Sequence, residues 1–246
     1  MQLIDRFHRV TARLVKDDPA TFTAAGPMMS VSFDDAPRSA VVTGGPIVEA
    51  HGGRATFYVA GDFCGKTVDG HAYFTADDLV AAQSAGHEIG CHTFDHRHAT
   101  QMPIAAFEDD CARNRDFLAA TLGGGPRSFA YPFGDVSLKV KRAARARYAT
   151  CRGIRPGVNR SPLDLALLKA MPLESRSWTP GAMERLARAA ARSKAWLILF
   201  SHDVGDQPSP YGCTPADLVQ ALEIGRRHGL EILTVGAAAE RLLANP

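Results

Sequence analysis

Met28-Met29-Ser30-Val31-Ser32-Phe33 is an apolar run that stops at two adjacent carboxylates, Asp34 and Asp35, with Ala36-Pro37 behind them. A short apolar run bounded by turn residues reads as a buried strand. The figure recurs: Ala55 to Val59, Glu88 to Cys91, Ser128 to Tyr131, Trp196 to Ser201 and Glu231 to Val235 are strand-like. Helical patterns lie between them at Thr75 to Ser84, Pro103 to Leu122, Val136 to Arg147, Pro180 to Ser193 and Pro215 to His228. Thr75 with Asp78 three residues on approximates a capping box, and Thr179-Pro180 and Thr214-Pro215 put Pro where its missing N–H costs nothing. Gly86 and Gly229 fall where helix C-caps are expected. Strand–helix alternation predicts a parallel sheet with helices outside it. Over 246 residues this is an α/β fold, a distorted or incomplete (β/α) barrel, with 1–246 as a single domain. Chemistry in such barrels gathers at the C-terminal ends of the strands, and Asp34, Asp35, His92, His96 and His202 all follow strand ends.

The composition narrows the partners. With 46% hydrophobic residues the chain can build a large core, and a formal charge of only +2 gives no pull toward nucleic acid or anionic membranes. The basic run Lys139 to Arg145 reads as the wet face of a helix. Cys64, Cys91, Cys111, Cys151 and Cys213 are odd in number, widely spaced and free of any C-x-x-C, which argues against a disulfide framework and for a reducing compartment. Met1 to Lys16 is interrupted by Asp5, Arg6, His8, Arg9 and Arg13, so it lacks a signal-peptide core, and Ala195 to Phe200 is too short to span a bilayer. The expectation is a cytoplasmic protein without a membrane span.

Adjacent aspartates alone also read as a turn. Paired with His92-Thr93-Phe94-Asp95-His96 they suggest more. A hydrolytic metal site needs about three N/O ligands, an open position for water, and a separate base. Two histidines four residues apart supply two ligands; of two neighbouring aspartates, whose side chains diverge, one supplies the third and the other faces water. Cys91 reads as a buried strand residue rather than a ligand. Leu197 to Ser201 ends in His202-Asp203, and a histidine emerging there suits a general acid because it titrates near neutral pH. Phe129-Ala130-Tyr131-Pro132-Phe133-Gly134-Asp135 reads as a rigid turn whose Tyr131 and Pro132 form an apolar wall suited to a sugar face.

In this order the segments resemble the polysaccharide deacetylases of the NodB-homology group, carbohydrate esterase family 4. The family's T-F-D-D appears as Ser32-Phe33-Asp34-Asp35 and its H-[S/T]-x-x-H as His92-Thr93-Phe94-Asp95-His96. Its R-x-P-[Y/F] appears as Ala130-Tyr131-Pro132-Phe133, and its apolar strand ending in histidine as Leu199-Phe200-Ser201-His202. The resemblance implies Asp34 as base, His202 as acid, the Phe133 N–H as oxyanion donor, and Asp35, His92 and His96 as ligands of one divalent metal. Zn²⁺ is the first choice, with Co²⁺ and Ni²⁺ also compatible with this donor set. The implied activity is metal-dependent hydrolysis of N-acetyl groups on an amino-sugar oligo- or polysaccharide.

Two positions depart from the pattern. The arginine of the third motif is Ala130, so Arg152, Arg155 or Arg176 must steady the base instead. The fourth motif, D-[S/T]-x-x-W, is matched loosely by Glu174-Ser175-Arg176-Ser177-Trp178, which nominates Trp178 for the substrate and leaves Asp203 or Asp164 as partners for the acid. Two other readings follow from these residues. One is a small cyclic-amide hydrolase of allantoinase type; the other is a degenerate, non-catalytic glycan-binding protein, motivated by Ala130.

Overall fold

The structure, a computed structural model, describes residues 10–12, 14–16, 19–21 and 26–244. Most of Met1 to Lys16 lies outside these residues. Strand β1 (Met28–Asp34) is buried at all seven positions, as a parallel strand covered on both faces must be. The other strands of the main sheet are β2 (Thr56–Val59), β3 (Glu88–Cys91), β4 (Ser128–Ala130), β5 (Thr150–Arg152), β6 (Met171–Pro172), β7 (Trp196–Ser201) and β8 (Glu231–Ile232). They run in the order β6-β7-β1-β2-β3-β4-β5, with β8 beside β1, and every pairing is parallel. The outer helices are α1 (Gly45–Ala50), α2 (Ala76–Ser84), α3 (Ile104–Leu122), α4 (Leu138–Arg145), α5 (Pro180–Ser193), α6 (Pro215–Arg227) and α7 (Val235–Leu243).

The sheet curls, and irregular backbone spans the gap between β5 and β6. Leu168 donates to the Cys151 carbonyl, Cys151 to Leu165, and Gly153 to Leu168, at 2.8, 2.8 and 2.9 Å. The result is the incomplete α/β barrel that the alternation of elements implies. Strand period decides what faces its interior. Met29, Val31, Phe33, Leu197 and Leu199 pack outward with Leu79, Met183 and Leu218 of the helices. The alternate residues turn inward: the Trp196 indole donates to the Ser30 hydroxyl at 2.9 Å, and Ser32 donates to the Leu199 carbonyl at 3.0 Å. Continuing that period, Asp34 and His202 come out on the interior side at the barrel mouth.

The expected helix starts are present. Thr75 and Asp78 form a full capping box, and Thr179 and Thr214 cap α5 and α6 ahead of their prolines. Three differences have local causes. The last strand covers only Glu231–Ile232, because Thr234 caps α7 and Val235 is already helical. Strand β5 carries a charged residue, and β6 has two residues, so neither reads as an apolar run. Helix α1 opens on Gly44-Gly45-Pro46, which reads as a loop; in the fold, a Cβ on Gly44 would sit 2.9 Å from the Phe33 ring, so the glycine allows a close approach to β1. All five cysteines are free and four are buried. Among the described residues no helix is long and apolar enough to cross a membrane.

Candidate active site

At the C-terminal mouth of the barrel a cleft of about 570 Å³ is lined by Asp34, Asp35, His92, His96, Phe133, His202 and Asp203. Positive-φ residues concentrate there: Asp35, Ala36, Thr93, His96 and Phe133 adopt φ of 61°, 50°, 62°, 49° and 58°. Each costs of order 1–3 kcal/mol in a non-glycine residue and persists only where surrounding contacts enforce it. Around the histidine turn those contacts are clear. The Asp95 amide donates to Asp110 Oδ1 at 3.0 Å, and Arg113 donates to both Asp95 oxygens at 3.0 and 2.9 Å.

Asp35 Oδ1 lies 3.4 Å from His92 Nε2 and 3.0 Å from His96 Nε2. It is buried, yet no aligned hydrogen bond reaches it. Metal–ligand bonds of about 2.0–2.1 Å at a tetrahedral angle place ligand atoms about 3.3 Å apart, so this spacing suits three donors converging on one cation. The His92 tautomer suits it too. Its Nδ1 is 2.8 Å from the Ala130 carbonyl, which can only accept, so the proton sits on Nδ1 and the Nε2 lone pair faces Asp35. Burial lowers the His92 imidazole to about 4 against the opposing pull of Asp34 and Asp35, so it is neutral at physiological pH. Burial by itself would raise the Asp35 carboxyl. Contact with His96, with the neighbouring His92 and His202 imidazoles, outweighs burial and holds it well below the usual carboxylate range.

Of the three arginines considered for the base, the one that reaches it is Arg152, whose Nη2 donates to Asp34 Oδ1. Arg152 is buried, lies 5.1 Å from the Tyr58 ring and 5.0 Å from the Phe200 ring, and donates through Nη1 to the Gly153 carbonyl at 3.0 Å. Its register partner on β4 is Ala130. Register partners in a parallel pair point the same way from neighbouring strands. The guanidinium missing from position 130 is therefore supplied from one strand over. Arg155 instead lines a neighbouring cavity, and Arg176 donates to Glu174 at 2.7 Å.

His202 stands across the cleft, half-exposed, with Nδ1 3.2 Å from the Tyr211 carbonyl. Nδ1 therefore carries a proton, and Nε2 remains for the cleft. Asp203 does not bond His202; its carboxylate accepts the Ser209 amide at 2.8 Å and the Ser209 hydroxyl at 2.5 Å. It holds the loop that presents Tyr211 to His202. Asp164 is engaged elsewhere, 2.6 Å from Lys141 Nζ. Losing both bonds in Asp203→Ala is expected to lower stability by about 1.5–3 kcal/mol and to weaken turnover through a loosened His202. Urea unfolding and kcat check this, and an unchanged unfolding midpoint would count against the loop's dependence on Asp203.

The aromatic wall differs from expectation. Tyr131 is fully buried and donates to the Ala166 carbonyl at 2.8 Å, Pro132 is buried, and Trp178 packs against the core. Tyr131 alternates with Ala130 and so faces the helices with Phe107 and Tyr148, in a core that a sequence cannot distinguish from the cleft. The aromatic side chains that do line the cleft are Phe133, Tyr73, Tyr211 and Phe200. Phe133 stacks on His98 at 4.1 Å and lies 4.5 Å from His96. Tyr73 follows a hairpin that sequence reading passed over, although Val68-Asp69-Gly70-His71 carries the strongest short hairpin signal. Asp69 and Gly70 have φ of 49° and 81°, and the pair Val68↔His71 closes the turn. Burial, with the charges of Asp35, Asp69 and Asp203, pushes the Tyr73 hydroxyl up to about 12, so it stays a hydrogen-bond donor.

The fold has solved counterparts. The structure is similar to a family 4 carbohydrate esterase from Streptomyces lividans in complex with acetate, at 18% identity over 84% of this chain and 91% of that one, with a TM-score of 0.60. It is similar to the Xyl-CE4 domain of a multidomain xylanase from the hindgut metagenome of Trinervitermes trinervoides, at 17% identity, 88% and 91% coverage and TM-score 0.59. A CE4 family pseudoenzyme from Bacillus anthracis matches at 14% identity, 92% and 70% coverage and TM-score 0.61. At these identities the likeness establishes the fold. The family model for polysaccharide deacetylase matches residues 23–150, a span that holds Asp34, Asp35, His92 and His96, and by that match the chain belongs to the polysaccharide deacetylase family.

Proposed function

We propose that this protein, as one domain over residues 1–246, hydrolyses the N-acetyl group of an amino-sugar substrate with one divalent metal, Zn²⁺ first, held by Asp35, His92 and His96. The observation that carries the reading is the convergence of three separate devices on one cleft: the Asp35/His92/His96 cluster, the Arg152-paired Asp34, and His202. When bound, the cation supplies a Lewis acid that polarises the amide carbonyl and acidifies water. Asp34, held by Arg152, takes the proton from the attacking water as the new C–O bond forms. The Phe133 N–H donates to the oxyanion that develops. His202, as an imidazolium whose Nδ1–H stays on the Tyr211 carbonyl, gives its Nε2 proton to the amine nitrogen as the C–N bond breaks, leaving acetate and a free amine. An unactivated amide needs both a strong nucleophile and a protonated leaving group, which is why base and acid are both required.

Ala130 motivates the degenerate, glycan-binding reading, and the Arg152–Asp34 pair weighs against it. The cyclic-amide alternative has no feature of the cleft in its favour. The test is acetate release from N-acetylglucosamine oligomers by chelator-stripped protein, with and without added Zn²⁺, beside His96→Ala. Release that depends on added metal is expected, and His96→Ala is expected to lose both stoichiometric metal binding and acetate release. Metal-independent release, or stoichiometric metal binding that survives His96→Ala, would remove the assignment.

A further inference from the structure

Ile154 and Gly134 line both the cleft and an adjoining second cavity of about 170 Å³. A Cβ on Gly134 would lie 2.4 Å from Ile154 Cγ1, so the Ile154 side chain packs directly on the Gly134 backbone where the two spaces adjoin. The second cavity is cationic, ringed by Lys16, Arg155, Arg160 and Lys169. Among the described residues its one acid, Asp164, is already committed to Lys141 at 2.6 Å and to the Ala166 amide at 3.2 Å. Among the described residues Arg155, Arg160 and Lys169 make no ion pair, and Lys16 donates only to the Pro162 carbonyl at 3.3 Å.

The cluster is built rather than incidental. Asn159, itself buried, clamps Lys169 by donating to its carbonyl at 2.8 Å and accepting its amide at 2.9 Å. The Lys169 stem passes Gly157, where a Cβ would come within 3.0 Å of Lys169 Cδ. Burial, with the charges of Arg155, Arg160 and Lys16, pulls the Lys169 ammonium below its usual range. Like charges held together raise the free energy of the free protein, and a bound anion relieves it.

We infer that this cavity binds the phosphoryl group of a phosphorylated N-acetyl amino sugar whose ring occupies the adjoining cleft. The inference rests on the deacetylation reading for the cleft, and it narrows the substrate from a neutral polymer to a sugar phosphate or diphosphate. Two guanidiniums offer forked N–H pairs that match phosphoryl oxygens two at a time, and two ammoniums add point charge. A terminal phosphate carries close to two negative charges near neutral pH. A single carboxylate would leave more of the cluster uncompensated.

The experiment is calorimetric titration of the metal-loaded protein with N-acetylglucosamine 1-phosphate, N-acetylglucosamine and inorganic phosphate, repeated on Arg155→Gln/Arg160→Gln and on Lys169→Gln. Arg155 and Arg160 are exposed, so the double variant should melt as the parent does. The phosphorylated sugar should bind about tenfold or more tightly than the neutral one, and each variant should erode that preference by about tenfold. Added salt should weaken it as well. Equal binding of the two sugars, or a preference that survives both variants, would overturn the anion site. Inorganic phosphate bound as tightly as the sugar phosphate would overturn the substrate assignment. Acetate release is scored separately. Release from neutral oligomers with no phosphate preference would remove this inference and leave the deacetylation reading intact. Phosphate-dependent sugar binding with no acetate from any substrate would support the cavity and remove that reading.

Discussion

Asp34→Asn is expected to cut acetate release by about 10²–10⁴-fold, the contribution of a positioned general base, while one equivalent of metal still binds. The substitution keeps the shape of the side chain and an oxygen for Arg152, and removes only the ability to take a proton. The metal cluster is formed by other residues, Asp35, His92 and His96, so metal content should not follow activity down. Asp34 is buried against the Arg152 guanidinium, so loss of its charge also lowers stability. Turnover must therefore be compared well below the melting temperature of the variant. Metal content by elemental analysis and kcat from acetate release together check the prediction. Near-parental turnover would reject Asp34 as the base, and lost metal would mean that Asp34 supports the ligand cluster.

Arg152→Ala is expected to destabilise the fold by about 3–5 kcal/mol, because it leaves the Asp34 carboxylate buried without its partner. Turnover should fall with it, since the guanidinium also fixes the direction of the base. The sharper result lies in the swap. Ala130 and Arg152 are register partners on adjacent strands, so Ala130→Arg/Arg152→Ala puts a guanidinium about 4.8 Å away on the same face, into volume the second change has vacated. The double variant should recover a substantial part of both stability and turnover relative to Arg152→Ala alone. Urea unfolding midpoints and kcat read the two effects independently. A double variant no better than the single one would show that the guanidinium must approach from β5.

Much of this protein is legible in one dimension. The strands β1, β2 and β7 read as apolar runs because both of their faces are covered, and the helices between them announce themselves through capping threonines and prolines. The His92/His96 pair and the Asp34/Asp35 pair are legible because each is set by a few consecutive residues, so their spacing survives in the sequence. The aromatic wall was not. Tyr131 and Phe133 are two residues apart, and only the turn geometry, with Phe133 at φ 58°, sends one ring into the core and the other into the cleft. Asp203 next to His202 invited a direct partnership, yet successive residues at a strand end point to opposite sides, and Asp203 serves Ser209.

The sequence by itself determined which chemistry-bearing residues this chain has at its strand ends and that the strands are parallel, because short-range periodicity encodes both. Only the tertiary structure decided which arginine answers Asp34. Those two residues are 118 positions apart, on strands four steps apart in the sheet. In a flat sheet four strand spacings would hold them about 19 Å from each other. Curling the sheet brings β5 round to face β1, so the pair exists through closure of the barrel, which no local pattern records.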